Sequence, residues 1–398
     1  MNILGRFLIS NKLGICDMTE KLYYKDAYIR EFRAKVISCE SAGDIYDVVL
    51  DRTAFFPEEG GQYSDKGFIA GICVVDVKEI AGIIHHYVEE PVAVGDDALC
   101  KIDFDERYEK MQCHTGEHIL SGIIHSLYGL DNVGFHLGKD DVTMDVSAPL
   151  SRAELDRVEI MANEVIYKNI EVISYFPDSA EAGSIEYRSK SEIKENLRIV
   201  KIGEYDSCAC CAPHVKFTGE IGIIKIIDFA KLRGGIRIHI AAGRRAMKLF
   251  REYYESVLSV SGMLSVPKAQ IQCGVKKLIE DIANTKREYA DFRIANMKKE
   301  AAGLENMKGN RVFLFSDAST DELIAFSNEA LHKTEGILVL LSGCDGNLKY
   351  VISSMLVDLR EIIKDINKNL LGRGGGKSNM VQGSFSCDYE SVVKYFNP

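Results

Sequence analysis

The chain has 398 residues, with 49 Lys or Arg against 59 Asp or Glu and a formal net charge of −10. That length suits two or three domains, each with its own core, and an apolar fraction of 46% is that of an ordinary globular protein. The acidic balance excludes a protein that coats nucleic acid by bulk charge, but not one with a local basic patch.

In chain order, residues 1–17 (MNILGRFLISNKLGICD) are an upstream extension, too broken by Arg6 and Lys12 for a secretory signal. Residues 18–104 are mostly β. Short runs rich in Val, Ile and Tyr, such as DIYDVVLDRT and GICVVDVKEI, alternate with Gly and Asp turns and predict a small barrel. Residues 105–243 are α+β. A helix is expected from Asp105 to Tyr128 with Gly129 as its stop, and a second opens on the capping pair Ser151 and Glu154. Residues 244–305 carry apolar positions at alternating steps of four and three, including 271, 275, 278, 282, 289 and 292. They predict a long helical hairpin with Pro267 in the first turn of its second helix. Residues 306–398 alternate strand runs (VFLFS, GILVLLSG, LKYVISS) with helical ones, a small α/β domain ending in GRGGGKSNMVQGS. No apolar run approaches the ~18 residues needed to cross a bilayer. The eleven cysteines are scattered apart from Cys208, Cys210 and Cys211, unlike a disulfide framework, so a reduced cytoplasmic setting is expected.

Three motifs carry chemistry. The first is Thr53-Ala-Phe-Phe-Pro57-Glu-Glu-Gly60-Gly61-Gln62, which follows a strand. Paired glycines permit positive φ or a close backbone approach, and a Gln amide both donates and accepts. The second is His114-Thr-Gly-Glu-His118, two histidines one helical turn apart on the same face. In a zinc protease the Glu directly follows the first His. Here Glu117 comes later and is expected off the ligand face, and His125 lies too far along the axis to join. The third is Cys208-Ala-Cys210-Cys211-Ala-Pro-His214, which adds soft ligands.

In this order, TAFFPEEGGQYSDKG, QCHTGEH and CACCAPHVKFTGEIG resemble the editing domain of alanyl-tRNA synthetase and the freestanding AlaX editing proteins. The tail GRGGGKSNMVQG is similar to the C-terminal domain of that synthetase, which is shared with DHH-type phosphoesterases. The whole layout, about residues 18–387, is that of the long AlaX form. There is no sign of an aminoacylation domain and no Asp-His-His motif. Two departures stand out. The family's second motif is usually Cys-Gly-Gly-Thr-His, whereas this chain has Cys210-Cys-Ala-Pro-His214, so the ligating cysteine stays open among Cys208, Cys210 and Cys211. The family start corresponds to Met18, which leaves residues 1–17 without a counterpart.

The resemblance implies an enzyme, a trans-editing hydrolase that deacylates tRNA for alanine carrying serine or glycine without ATP. The alternative is a tRNA-binding protein that keeps the fold and not the chemistry. It implies one zinc ion per chain held by His114, His118, Cys210 and His214. Thr53 then reads the seryl hydroxyl, with Gln62 beside it, Gly60 and Gly61 giving backbone access, and His136 on the pocket wall. Four protein ligands usually mark a structural zinc, so whether the ion activates water or only positions substrate stays open.

The C-terminal half is expected to bind tRNA through Lys364, Lys368, Arg373, Gly374, Gly375 and Lys377, the glycines forming a backbone anion nest, and on family grounds to support a homodimer. Charge agrees with that placement. Residues 268–311 hold ten Lys or Arg against six Asp or Glu, and residues 360–377 hold five against two, so the rest of the chain carries −17.

Overall fold

The structure is a computed structural model that describes residues 18–139, 141–189 and 197–397. The expected extension, residues 1–17, lies outside the described residues. The described chain divides into two units, the first ending at Val257 and the second beginning at Leu258. It is a mixed α+β protein, and among the described residues no helix is long and apolar enough to cross a membrane.

Six strands at Glu31–Ala42, Ile45–Leu50, Gly67–Ile69, Ile72–Ile80, Ile83–Val88 and Asp97–Ile102 close into a barrel. The period-2 pattern builds it. In Asp97–Ile102 the residues Ala98, Cys100 and Ile102 point inward while Asp97, Leu99 and Lys101 face out. Val48, Leu50, Ile69, Val74, Val77 and Ile84 fill the interior.

Helix α1 (Phe104–Tyr128) follows directly. The Asp103 side chain caps it by accepting from the Glu106 amide, and Gly129 ends it in the left-handed region at φ 66°. Residues 110–124 of this helix are all buried. A four-stranded antiparallel sheet of Ile224–Leu232, Gly235–Ala242, Val142–Val146 and Asn132–Leu137 shares its core. So does α2 (Arg152–Tyr167), which opens on the expected capping box of Ser151 and Glu154. A three-stranded sheet, Val172–Tyr175, Ile199–Ile202 and Asp206–Ala209, completes the surroundings, and α3 (Ser179–Ala182) is a single turn. At Gly122, α1 runs against the tight turn between the last two of these strands, where a Cβ would collide with the Tyr205 carbonyl. That near approach brings Asp206 up to the helix.

Helix α4 (Gly243–Leu264) runs on from the first unit into the second. Helix α5 (Ile271–Ala302) follows after a turn in which Pro267 caps one 3-10 turn, a step earlier than expected. The apolar stripe of α5 is largely exposed: Leu278, Ile279, Ile282, Tyr289 and Phe292 are 48–61% accessible.

The five-stranded sheet of the second unit runs in the order Arg311–Phe315, Ile337–Cys344, Asn347–Ser354, Met380–Phe385, Gly372–Gly376. Only the first pair is parallel. Helices α6 (Thr320–Ala330), α7 (Leu359–Asn369) and α8 (Tyr389–Phe396) cover it. Alternate residues of Ile337–Cys344 supply two cores, Val339 and Leu341 joining α7 and α8, Leu338 and Leu340 joining α6. A strand buried on both faces explains the unbroken apolar run GILVLLSG.

Candidate metal centre and cleft

The Glu59–Gln62 segment is a two-residue hairpin turn. The Glu59 and Gln62 backbones exchange hydrogen bonds at 3.1 and 3.0 Å, and Gly60 and Gly61 between them have φ of 64° and 82°. Both signs are those of a type I′ turn, which side chains rarely tolerate. A Cβ at Gly61 would collide with the Phe135 carbonyl, so that glycine admits the neighbouring strand rather than a ligand. The loop is fastened to α1. Arg107 donates to Asp65 Oδ2 from Nε at 2.9 Å and to the Ala54 carbonyl at 2.7 Å, while Lys110 reaches the Ser64 carbonyl at 2.6 Å. Asp65 also accepts from the Phe56 amide at 2.7 Å. Burial opposes charge on Asp65, but Arg107 and Lys110 beside it hold its carboxyl below the usual range. Asp65 is thus structural, as is Asp145, paired with Arg237 at 2.7 Å.

This fastening brings Gln62 against the histidines. Gln62 Oε1 lies 3.0 Å from His114 Nδ1, Asp206 Oδ2 lies 2.8 Å from His118 Nδ1, and Thr115 Oγ1 lies 3.0 Å from His214 Nδ1. Each imidazole is oriented through Nδ1, the arrangement found behind metal-bound histidines. On the other side, Cys210 Sγ stands 3.6 Å from His114 Nε2 and 3.4 Å from His214 Nε2. The ligand atoms of His114, His118, Cys210 and His214 all lie within 4.8 Å of one another. The donor set passes a test of fit. A tetrahedral site with Zn–N near 2.05 Å and Zn–S near 2.3 Å has an N···S edge of about 3.6 Å. Burial resists ionisation of Cys210, but His114 and His214 hold its thiol well below the usual range, favouring the ligating thiolate. Burial depresses His214 to about 3, against the opposing pull of Cys210.

Cys208 and Cys211 stand apart from the four. Burial pushes the Cys208 thiol up to about 11. With His118 and Asp206 it forms a second group of donors, but Asp206 is already engaged by His118 and by Arg188 Nε at 2.7 Å. Cys211 lies by Gly60, its thiol pushed up by burial.

The group opens on a cleft of about 1510 Å³ whose walls include Tyr24, Glu59, Gly60, Glu117, Arg188 and Arg198. Glu117 lines this cleft beside the histidines instead of pointing off the ligand face: at three residues after His114 it remains on the same side of α1. Thr53 is fully buried and its hydroxyl is committed. His86 Nδ1 faces the Val48 carbonyl at 3.1 Å, so its Nε2 accepts from Thr53 Oγ1 at 2.8 Å, and Thr53 in turn accepts from the Phe55 amide at 3.1 Å. The one hydroxyl proton of Thr53 is not available to a seryl group.

His136 is exposed and absent from the cleft wall. Alternation along its strand turns Phe135 toward the centre instead, its ring 4.7 Å from that of His114. His125 is also exposed and meets Asp131 at 3.1 Å. Asp206, Arg188 and Phe135 were not signalled by spacing, since each lies outside the motifs or on a strand whose register sequence does not fix.

In the second unit, Lys364 and Lys368 share an exposed face of α7. Arg373, Gly374 and Gly375 lie on the edge strand Gly372–Gly376, with Lys377 just beyond. Where the glycine pattern predicts an anion nest, the chain is extended and none of these glycines has positive φ. Tyr350 gives the reason: a Cβ at Gly374 or Gly383 would collide with its ring or hydroxyl, and the ring stacks on Phe385 at 4.2 Å.

Two family models and several curated proteins match the chain. The family described as "Threonyl and Alanyl tRNA synthetase second additional domain" matches residues 197–239, which contain Cys210 and His214. That described as "tRNA synthetases class II (A)" matches residues 13–106, beginning ahead of Met18. The alanine–tRNA ligases of Ignicoccus hospitalis and Archaeoglobus fulgidus are each 29% identical over 94% and 92% of this chain. The chain spans only 42% of either ligase. A solved structure, the C-Ala domain of Aquifex aeolicus alanyl-tRNA synthetase, matches 22% of this chain at 22% identity with a TM-score of 0.20, too low to support a conclusion. These matches make the chain similar to part of the alanine–tRNA ligases. Alanyl-tRNA editing protein AlaX-L of Pyrococcus horikoshii is 31% identical over 94% of this chain and 96% of its own length. The chain belongs to the AlaX family of alanyl-tRNA editing proteins.

Proposed function

We propose that this protein deacylates mischarged tRNA for alanine in trans, hydrolysing the ester of seryl-tRNA and glycyl-tRNA with one zinc ion at the centre. The observation that carries this reading is the convergence of three Nδ1-anchored imidazoles and Cys210 Sγ beside a cleft, in a chain 31% identical along its length to an alanyl-tRNA editing protein.

His114, His118, Cys210 and His214 would hold the ion, and Cys210 is the ligating cysteine of the three. When bound, zinc supplies Lewis acidity toward a carbonyl or a water. The chain's own residues do the rest. Gln62, Asp206 and Thr115 fix the imidazole tautomers. The buried floor of the cleft keeps the ester in a low-dielectric setting, where oriented groups act more strongly. A synthetic site built for alanine cannot strongly reject an added hydroxyl, so discrimination falls to a second site that hydrogen-bonds it. Thr53 acts as a positioning residue bound to His86 of the barrel, not as the reader of that hydroxyl. In the second unit, Lys364, Lys368, Arg373 and Lys377 meet tRNA phosphates through their side chains, which makes binding salt-sensitive.

The test is deacylation of seryl-, glycyl- and alanyl-tRNA side by side, with zinc content measured on the same protein. Hydrolysis of the first two and sparing of the third is expected. Tight tRNA binding with hydrolysis of none would leave a binding protein that has kept the fold.

A further inference from the structure

The first unit has a second opening, on the other side of α1 from the metal centre. It is a groove of about 630 Å³ between the Glu220–Ile223 segment and the first turns of α4. Gln112 ties its two walls together. The Gln112 Nε2 donates to the Glu220 carbonyl at 2.7 Å, and its Oε1 accepts from the Arg244 amide at 3.1 Å. Gln112 precedes His114 by two residues, so about 200° of helical rotation separates their side chains. Groove and ligand group therefore lie about one helix diameter apart, ~10–12 Å.

The floor of the groove is apolar, made by Ile221, Ile223, Met247 and Phe250. Its rim is basic. Arg244, Lys248 and Arg251 follow one another at steps of four and three, a single stripe along α4. Residues 244–251, RRAMKLFR, hold no acid, although they lie in the part of the chain that is acidic as a whole. Lys248 and Arg251 are exposed and, among the described residues, pair with no carboxylate. Arg244 reaches Asp105 at 2.7 Å and lies 5.7 Å from the centre of the Tyr108 ring. Glu220, the acid of this wall, is engaged elsewhere. It accepts from the Tyr28 and Tyr108 hydroxyls at 2.6 and 3.0 Å and from the Lys216 and Phe217 amides at 3.0 Å each. Two cations of the rim are thus left without an anion from the chain.

We propose that this groove receives the acceptor arm of tRNA and holds its backbone while the 3′ end enters the cleft. Duplex RNA presents a wide, shallow minor groove with phosphates and 2′-hydroxyls at its surface. Three cations along about 10 Å of helix match the rise of about three nucleotides of one strand. The apolar floor takes sugar edges, and the cations position the arm without reading its bases. Unlike the basic side chains of the second unit, this stripe belongs to the unit that carries the ligand group. It therefore needs only the end of the tRNA. The assignment rests on the editing reading.

The test is the double reversal Lys248→Glu with Arg251→Glu, beside Lys248→Arg with Arg251→Lys, which keeps the charge. Both positions are exposed, and melting temperature and zinc content serve as controls. Three seryl esters are compared: full tRNA for alanine, a minihelix of its acceptor and TψC arms, and the trinucleotide CCA. Binding of the uncharged tRNA and minihelix is measured in parallel. The reversal should weaken binding and lower kcat/KM about tenfold or more on tRNA and minihelix alike, while hydrolysis of the trinucleotide is unchanged. It should also lower the slope of log affinity against log salt for the minihelix by about 2. The charge-keeping variant should match the wild type. Equal loss on the trinucleotide, loss on tRNA but not on the minihelix, or loss on neither RNA overturns the assignment. A wild type that binds both RNAs and hydrolyses no ester overturns the editing reading, and the effect of the reversal on binding then decides the groove alone. A wild type that binds neither RNA overturns both.

Discussion

The two halves of α1 hold buried polar clusters of opposite kinds. Toward the N-terminus, Arg107 and Lys110 meet Asp65 and the carbonyls of the glycine loop. That cluster is closed, its charges answered within the chain. About two turns later, His114 and His118 are anchored through Nδ1 and converge with Cys210 and His214 on a shared gap. That cluster is open, shaped for something the chain does not supply. Burying charge is expensive in either case. One arrangement fixes where a loop sits, and the other keeps reactive groups poised.

The largest expected effect lies in the open cluster. Cys210→Ala should abolish zinc binding and cut seryl-tRNA hydrolysis by about 100-fold or more, while Cys208→Ala and Cys211→Ala retain the metal. Full activity in zinc-free Cys210→Ala protein would remove the ion from the mechanism. The closed cluster should respond in stability. Arg107→Met leaves Asp65 buried without its main partner and should cost about 3–5 kcal/mol in denaturant unfolding. If it instead removes zinc while leaving stability intact, the distinction between the clusters collapses.

The barrel offers a pH-dependent counterpart. His86 is fully buried, and burial depresses it from 6.5 to about 4. The unfolded chain therefore takes up the proton first on acidification. Stability from this group is complete above about pH 6.5 and falls by ~3 kcal/mol as pH drops toward 4. His86→Asn should flatten that limb of the stability–pH curve, and an unchanged limb would assign it to another group. Asp206→Asn should weaken zinc affinity by about 10–100-fold, since it disturbs a ligand's orientation and not the ligand itself. The smallest effect belongs to the second unit. Charge reversal at Lys364 and Lys368 should lower the slope of log affinity against log salt for tRNA by about 1–2, with zinc content unchanged.

The convergence of His114, His118, Cys210 and His214 was legible in the sequence because helical spacing and a short turn bring them close along the chain. Barrel, central helix and layered second unit followed from period and from caps at Ser151 and Gly129. What escaped depended on contacts between distant segments. Asp206 is 88 residues from His118, and no pattern joins them. Glu117 was misplaced because a facing argument drawn from two ligands ignores that a cleft is wider than a ligand stripe. Thr53 resembles a substrate contact until His86 is found taking its proton. The tail glycines suggested positive φ, whereas their lack of side chains makes room for Tyr350. His136 and Phe135 differ by one strand position, and register is a property of the sheet.

Gly122 touches no ligand and carries no functional group. Its bare Cα lets the turn at Tyr205 lie against α1, and that turn delivers Asp206 to His118. A single methyl there would wedge the turn outward and slacken the hold on His118 from behind. A change at a position with no chemistry of its own would then loosen the His118 ring with all four candidate ligands still in place.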